Sequence, residues 1–589
     1  MAYQAPVDDI VFALKTAADL PHVLANIASG NGPSDLDEAT IRAILEEAGR
    51  FATDVLDPLT TAGDRAGSRL VNGVVQLPAG WKDAYGRFVE GGWSALPCPA
   101  AYGGQGLPSV VAMAVSEIWN AANMSFGVCP LLTNGAIDSL HIGGSAEIKS
   151  RFLPKMVSGE WTGTMNLTEP QAGSDLNAIT TRAVKQADGT YRITGTKIFI
   201  SYGEHEMTQN IIHLVLARLP DAPAGTRGIS LFVVPKFLVN ADGSIGARND
   251  VVCAGLEHKL GLVASPTCVM KYGEQGGATG YLVGEENQGL ATMFVMMNAA
   301  RLAVGVQGVA IAERATQRAF AFANERRQGR ALGSTSKGMD PIAVHPDVRR
   351  MLLTMQAMTQ AARGICYATA AAADLAHGAA DEGIRKAANA RAALLTPLAK
   401  SYATDAAVEV ASLGVQVHGG MGFVEDTGAA QHLRDARILP IYEGTNGIQA
   451  MDLIMRKLPL EGGAVIKAYL TELASTVMAV EAVNDSSFGQ MGARMRETLS
   501  ALESATQWMA SAIASDPEGA LGSATAYQHL FSLAAGANYL AAGALVAGPE
   551  NPHRVRLARF FAEHILVAGP GLATSVMQGA GSLRGALPN

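Results

Sequence analysis

The chain changes texture once, near residue 161, and that change limits the folds open to it. RAVKQADGTYRITGTKIFIS, residues 182–201, carries Asp188-Gly189 between two alternating runs. That is a hairpin signal, because the central residues of the tightest hairpin turns need positive φ. NIIHLVLARL and GISLFVVPKF are β-branched and apolar, like buried strands, and PTCVMKYGEQGGATGYLVG continues the style. A β domain is therefore expected over 161–285, between a helical domain over 1–160 and a helical bundle over 286–458, with a helical C-terminal extension over 459–589. The predicted class is α+β, mainly α. Strands do not alternate with helices, no GxGxxG follows a strand and there is no Walker loop, so a doubly wound nucleotide fold is not expected.

The helical regions are read from periodicity. DEATIRAILEEAGRFATDVLDPL repeats apolar residues at three and four, with a stop predicted at Pro58. A glycine-rich loop then leads into a helix beginning near Ser109. Three longer runs, 289–328, 346–378 and 385–419, suit the antiparallel helices of a bundle.

At 589 residues the chain exceeds one core, and two to four domains are expected. A formal charge of −8 with no dense Lys/Arg tract argues against nucleic-acid binding. Five scattered cysteines with no CxxC pair argue against a disulfide framework or zinc ribbon, and the expected compartment is the cytoplasm. The N-terminus lacks the basic-then-apolar pattern of a signal peptide. The apolar run 531–549 is interrupted by Ser532, Asn538 and glycines, so it is read as a packed helix, without stable membrane insertion.

Five stretches carry residues suited to chemistry, and each alone also reads as ordinary structure. In MNLTEPQAGSDL, Thr168 offers a hydroxyl and Gly173-Ser174 a turn that lets backbone N–H groups approach a ligand; a helix cap by Ser174 or Asp175 is the plainer reading. In TGTKIFISYG, alternation sets Phe199 and Ser201 on one strand side, opposite Ile198 and Ile200, where they could flank a planar ring or simply pack. Arg301 lies in a largely apolar helix and needs a partner or an anionic ligand; ERRQGR places Arg326 at that helix's end, for phosphate or as a dipole cap. GVQVHGGMGF offers Gln416 and Gly419-Gly420, while His418 has no second ligand at metal spacing and no metal is expected. In LPIYEGTNGIQ an apolar lead-in precedes Glu443; if the lead-in is buried, desolvation raises the carboxyl pKa toward that of a general base.

Taken in order, LTEPQAGSD, GTKIFIS, ERRQGR, QVHGGMGF and RDARILPIYEGTNGIQ resemble the successive motifs of the acyl-CoA dehydrogenase family, over roughly residues 35–456. The resemblance implies a helical domain, a small β-barrel-like domain and a four-helix bundle, with FAD bound non-covalently across a subunit interface of a homodimer or homotetramer. It implies that Met165, Leu167, Thr168, Phe199 and Ser201 line the flavin ring, that Gly173 and Ser174 approach it, and that Arg326, Gln416, Gly419 and Gly420 hold the ADP half of a neighbouring subunit's FAD. Thr445 matches a further FAD contact, and Arg301, Ser174 and Gly444 fall on the substrate side. Glu443 matches the catalytic base; the family's alternative base position is Ala300, which takes no proton. Two positions depart from the pattern, Gly329 for an often aromatic residue and Gly447 for a glutamine.

The implied activity is α,β-dehydrogenation of an acyl-CoA thioester, with electron-transfer flavoprotein or a similar acceptor as redox partner. The N-terminus and the long extension look most like the bacterial branch acting on 3-methylthiopropionyl-CoA in dimethylsulfoniopropionate catabolism. A methionine run, MFVMMNAAR, would suit a thioether. The alternatives are a straight-chain dehydrogenase of β-oxidation, an acyl-CoA oxidase, and a non-catalytic scaffold with a degenerate site.

Overall fold

The computed structural model describes residues 2–27, 36–335 and 337–585. The N-terminal region holds α1 (Val7–Thr16), α2 (Leu20–Asn26), α3 (Glu38–Phe51) and α4 (Asp57–Ala66), a hairpin of β1 (Arg69–Val71) and β2 (Val74–Gln76), then α5 (Trp81–Glu90), α6 (Ser109–Gly143) and α7 (Ala146–Val157). Pro58 does not stop the helix as predicted. A π-turn over Ala52–Leu56 carries α3 into α4, and Pro58 occupies the first turn of α4, where no backbone N–H is required. The β1–β2 hairpin escaped the sequence reading although Asn72-Gly73, at φ 50° and 78°, is the turn pair that such a hairpin favours.

The central strands are β3 (Trp161–Asn166), β4 (Arg182–Lys185), β5 (Tyr191–Ser201), β6 (Asn210–Arg218), β7 (Ile229–Pro235), β8 (Phe237–Val239), β9 (Ile245–Arg248), β10 (Val251–Leu256), β11 (Thr267–Tyr272) and β12 (Ala278–Val283). Eight of them pair in the order β10-β11-β5-β12-β7-β6-β3, with β4 beside β5 and β6, while β8 pairs β9. The Asp188-Gly189 turn joins β4 and β5 in antiparallel register, as expected. β6 and β7 are buried almost throughout, which explains their uninterrupted apolar sequence.

Three long helices follow, α8 (Gly289–Glu325), α9 (Pro346–Gly378) and α10 (Glu382–His418), with α6 packed along α8 and α9. Glycines set their spacing: a Cβ on Gly308 would meet the Ala403 carbonyl of α10 at 2.5 Å, so α8 and α10 are in backbone contact. Met293 and Met296 are core residues, Met296 lying against Gly135 of α6, so these two serve packing. Beyond α10 come α11 (Ala429–Ala436) and α12 (Asn446–Asp452), then α13 (Ala464–Glu481), α14 (Met491–Ser515), α15 (Pro517–Ala547), α16 (Pro552–Phe560) and α17 (Gly569–Gln578). α15 packs on both α9 and α12. Among the described residues, four helical segments are long and apolar enough to cross a membrane by length and composition; the one containing the predicted run 531–549 has 72% of its most apolar window buried inside the protein.

Candidate active site

Glu443 stands at the crest of a turn closed by Asn446, whose N–H donates to the Pro440 carbonyl at 3.0 Å. Both crest residues are left-handed, Glu443 at φ 55° and Gly444 at 84°. A non-glycine residue there is strained, and such strain persists where surrounding structure over-determines it. The lead-in is only partly buried. Leu439 is in the core, Ile441 faces out, and the Tyr442 hydroxyl donates to Gln307 Oε1 on α8. On the far side Thr445 caps α12, its Oγ1 accepting from Ile448 N at 3.3 Å.

Glu443 is half-buried by exposure yet lies deep enough that burial dominates its ionisation. Burial pushes its carboxyl up to about 7, against the opposing pull of Arg301 and Lys400. Arg301 is buried on α8, its Nη1 donating to Asn298 Oδ1 at 3.3 Å and its Nε without a protein partner. Gln449 Oε1 is likewise buried and without a protein partner, beside Gly444, so two polar atoms next to the crest are left unsatisfied by the protein. Ala300, preceding Arg301, is buried.

A second group forms on the sheet. Met165 is buried at the end of β3, and Leu167 and Thr168 follow half-buried. β5 is not regular there: a register shift against β11 places Lys197 and Ile200 opposite Met270 and Cys268, and Phe199 takes φ 59°. Uniform alternation therefore fails, and Ile198 and Ile200 are not the paired face predicted. The bulge turns the Ile198 N–H to the Thr168 carbonyl at 2.9 Å and leaves Phe199 59% exposed, with Ser201 half-buried. The loop below is fixed by Glu169, which accepts from Lys197 at 2.8 Å and from the backbone and hydroxyls of Thr180 and Thr181. Lys197 also donates to the Leu167 carbonyl at 3.0 Å. Gly173 and Ser174 are exposed, a Cβ on Gly173 would meet nothing within 4 Å, and Asp175 provides the cap, accepting from Asn177 N.

A third group lies elsewhere. Arg326 caps the C-terminal end of α8, while Gln416, Gly419 and Gly420 sit exposed at the C-terminal end of α10. From Arg301 to Arg326 along α8 is roughly 38 Å at 1.5 Å per residue. One chain therefore does not bring this group to Glu443. Gly329 takes φ 67°, which accounts for glycine where the motif often has an aromatic residue. His418 is structural, its Nδ1 paired with the Gly414 carbonyl at 2.7 Å and its ring stacked on Phe322.

The N-terminal, middle and C-terminal domain models of acyl-CoA dehydrogenase match residues 38–160, 164–272 and 287–458, and an acetyl-CoA dehydrogenase C-terminal-like model matches 469–586. The chain is 56% identical over 476 residues to 3-methylmercaptopropionyl-CoA dehydrogenase of Ruegeria pomeroyi, covering 81% of this chain and 80% of that one. The chain belongs to the acyl-CoA dehydrogenase family. Butyryl-CoA dehydrogenase of Syntrophomonas wolfei is 35% identical over 524 residues, covering 86% of this chain and 84% of that one. An acyl-CoA dehydrogenase from Bacillus anthracis, solved with FAD, shares the fold with a TM-score of 0.75 at 21% identity, covering 95% and 90% of the two chains.

As an acyl-CoA dehydrogenase, the protein is an oxidoreductase that uses FAD. Its residues fit that cofactor: an exposed aromatic on a bulge, glycines with open space before them and exposed Arg326 suit a planar ring and a pyrophosphate. Lys197, Glu169, Lys400 and Asn446 were missed in the sequence. Lys400 carried the signal used for Arg301, a cation in an apolar helix.

Proposed function

We propose that the protein dehydrogenates 3-methylthiopropionyl-CoA to 3-methylthioacryloyl-CoA, with Glu443 as the base that removes the α-proton. The observation carrying this reading is Glu443 itself, a carboxylate on a strained crest whose burial brings its pKa to about 7, beside the buried cations Arg301 and Lys400. A base poised there is about half ionised at neutral pH and is basic enough to take the proton. Arg301 and Lys400 favour its ionised form, and Gly444 leaves room for a thioester against the backbone. Met165, Leu167, Thr168, Phe199 and Ser201 would hold the flavin ring, with Gly173 and Ser174 beside it and Thr445 as a further contact. When bound, FAD supplies the acceptor for the hydride leaving the β-carbon. The substrate assignment rests on the 56% identity to the Ruegeria pomeroyi enzyme.

The helix length separating Arg326, Gln416, Gly419 and Gly420 from Glu443 supports a homo-oligomer in which these residues hold the ADP half of a partner's FAD. An electron-transfer flavoprotein is the redox partner in this reading, and the enzyme works in the cytoplasm. Anaerobic flavin bleaching against a panel of acyl-CoAs tests the assignment. Fastest bleaching is expected with 3-methylthiopropionyl-CoA, and Glu443→Gln should keep FAD without bleaching. A preference for long straight chains would overturn the substrate, and bleaching in Glu443→Gln would overturn the base.

A further inference from the structure

Lys400, on α10, is shielded from solvent, at 0% exposure. Among the described residues it makes no ion pair within salt-bridge distance; its ammonium donates to Asn446 Oδ1 at 2.8 Å. Asn446 is held on its other side, its Nδ2 donating to Asp405 Oδ1 at 2.8 Å, Thr404 Oγ1 at 3.0 Å and the Ser401 carbonyl at 3.3 Å. The same residue's backbone N–H closes the turn that presents Glu443. A buried ammonium with only a neutral direct partner is costly and loses its proton readily unless an anion stands nearby.

We infer that Lys400 is a positioning residue for Glu443, fixing the left-handed turn through Asn446 and supplying the buried cation that keeps the Glu443 carboxylate ionised and oriented. This rests on the reading of Glu443 as base. The charged groups around Lys400 agree with it. Asp405 on its own helix, which also accepts from Asn446, and Glu443 on the turn are the two anions that face Lys400, and Arg301 on α8 is a second cation beside them. From α15, His529 faces Asp405, as does Arg437 from the segment before the turn, and Asp452 of α12 faces Arg301. Burial lowers the Lys400 ammonium to about 7, with Asp405 and Glu443 holding it up, so the Lys400 and Glu443 titrations are linked.

The test compares Lys400→Gln, which keeps a donor for Asn446 without the charge, with Lys400→Arg, which keeps the charge. Both are read as holoenzymes by anaerobic bleaching with 3-methylthiopropionyl-CoA across pH. In Lys400→Gln the acid limb of the bleaching rate is expected to move up by roughly one pH unit, and the rate at pH 7 to fall about fivefold. The flavin spectrum and half-saturating substrate concentration should change little, and Lys400→Arg should return the limb toward wild type. A rate lowered equally at every pH, with the limb unmoved, overturns the proposal and leaves Lys400 a packing residue. If Lys400→Gln does not fold, Asn446→Leu, which retains the cation but cuts its link to the turn, is expected to lower the maximal rate while keeping FAD; an unchanged rate overturns the proposal. Glu443→Gln measured alongside separates the two readings: bleaching there removes the base, whereas its absence with an unmoved limb in Lys400→Gln removes only the role of Lys400.

Discussion

Gly444 and Gln449 stand in direct opposition: a methyl group on Gly444 would lie 2.7 Å from Gln449 Nε2, which itself donates to the Gly444 carbonyl at 3.3 Å. Gly444 also takes φ 84°, a region that costs an L-residue about 1–2 kcal/mol. Gly444→Ala is therefore expected to displace Gln449 and tilt the crest. The bleaching rate should fall at least about tenfold, the loss that 1.4 kcal/mol off the transition state would produce, while FAD is retained. Single-turnover bleaching checks it, and a wild-type rate would show that the crest tolerates a side chain.

The ionisation of Glu443 also affects stability. Its folded pKa, about 7, lies above the ordinary value of 4.5, so the folded state holds a proton that the unfolded state releases. That contribution is complete below the unfolded pKa and is lost as pH rises through about 7. Glu443→Gln never pays the loss and is expected to melt higher than wild type at alkaline pH, the two converging toward pH 4.5. Thermal melts at several pH values check this; a constant difference would show that Glu443 is not desolvated.

Lys197 and Glu169 form a buried pair, at 0% and 2% side-chain exposure. Burial alone would raise the Glu169 carboxyl, but Lys197 and the Thr180 and Thr181 donors outweigh it and hold it at about 2. This contribution is present above the unfolded pKa and lost only as pH falls through about 2. Lys197→Met strands the carboxylate and is expected to cost about 3–5 kcal/mol, with flavin release at a lower denaturant concentration. Parallel denaturation followed by tryptophan and flavin fluorescence reads both.

Arg326→Ala should weaken FAD retention while leaving the bleaching rate at saturating FAD close to wild type. If FAD is shared between subunits, mixed oligomers of Arg326→Ala and Glu443→Gln chains contain one complete site. Co-expressed mixtures are then expected to bleach at limiting FAD, where neither parent does. Absence of complementation in verified mixed oligomers would place the whole cofactor within one chain.

Much of the fold was legible because its signals are local. Apolar spacing marked α8, α9 and α10, and Asp188-Gly189 marked the β4–β5 turn. The failures were of two kinds. Pro58 misled because a proline that ends one helix also starts another, and only the π-turn before it shows which. Phe199 misled because a bulge is a relation between two strands, and β11 begins 68 residues further on from it. Glu443, Thr445 and Arg301, which the structure places around one turn, were singled out through motif order. Lys400 and Asn446 were not, because their partnership depends on α10 passing beneath the turn.

Phe199 has a consequence for making the protein. In the proposed arrangement the flavin covers the Phe199 ring, which is 59% exposed on its bulged strand. A cofactor that binds only the native chain adds stability by mass action, about 4 kcal/mol at a thousandfold excess over its Kd. Riboflavin supply in the producing cell is therefore expected to raise the yield of folded chain. A poor, pale preparation calls for feeding the culture before redesigning the sequence.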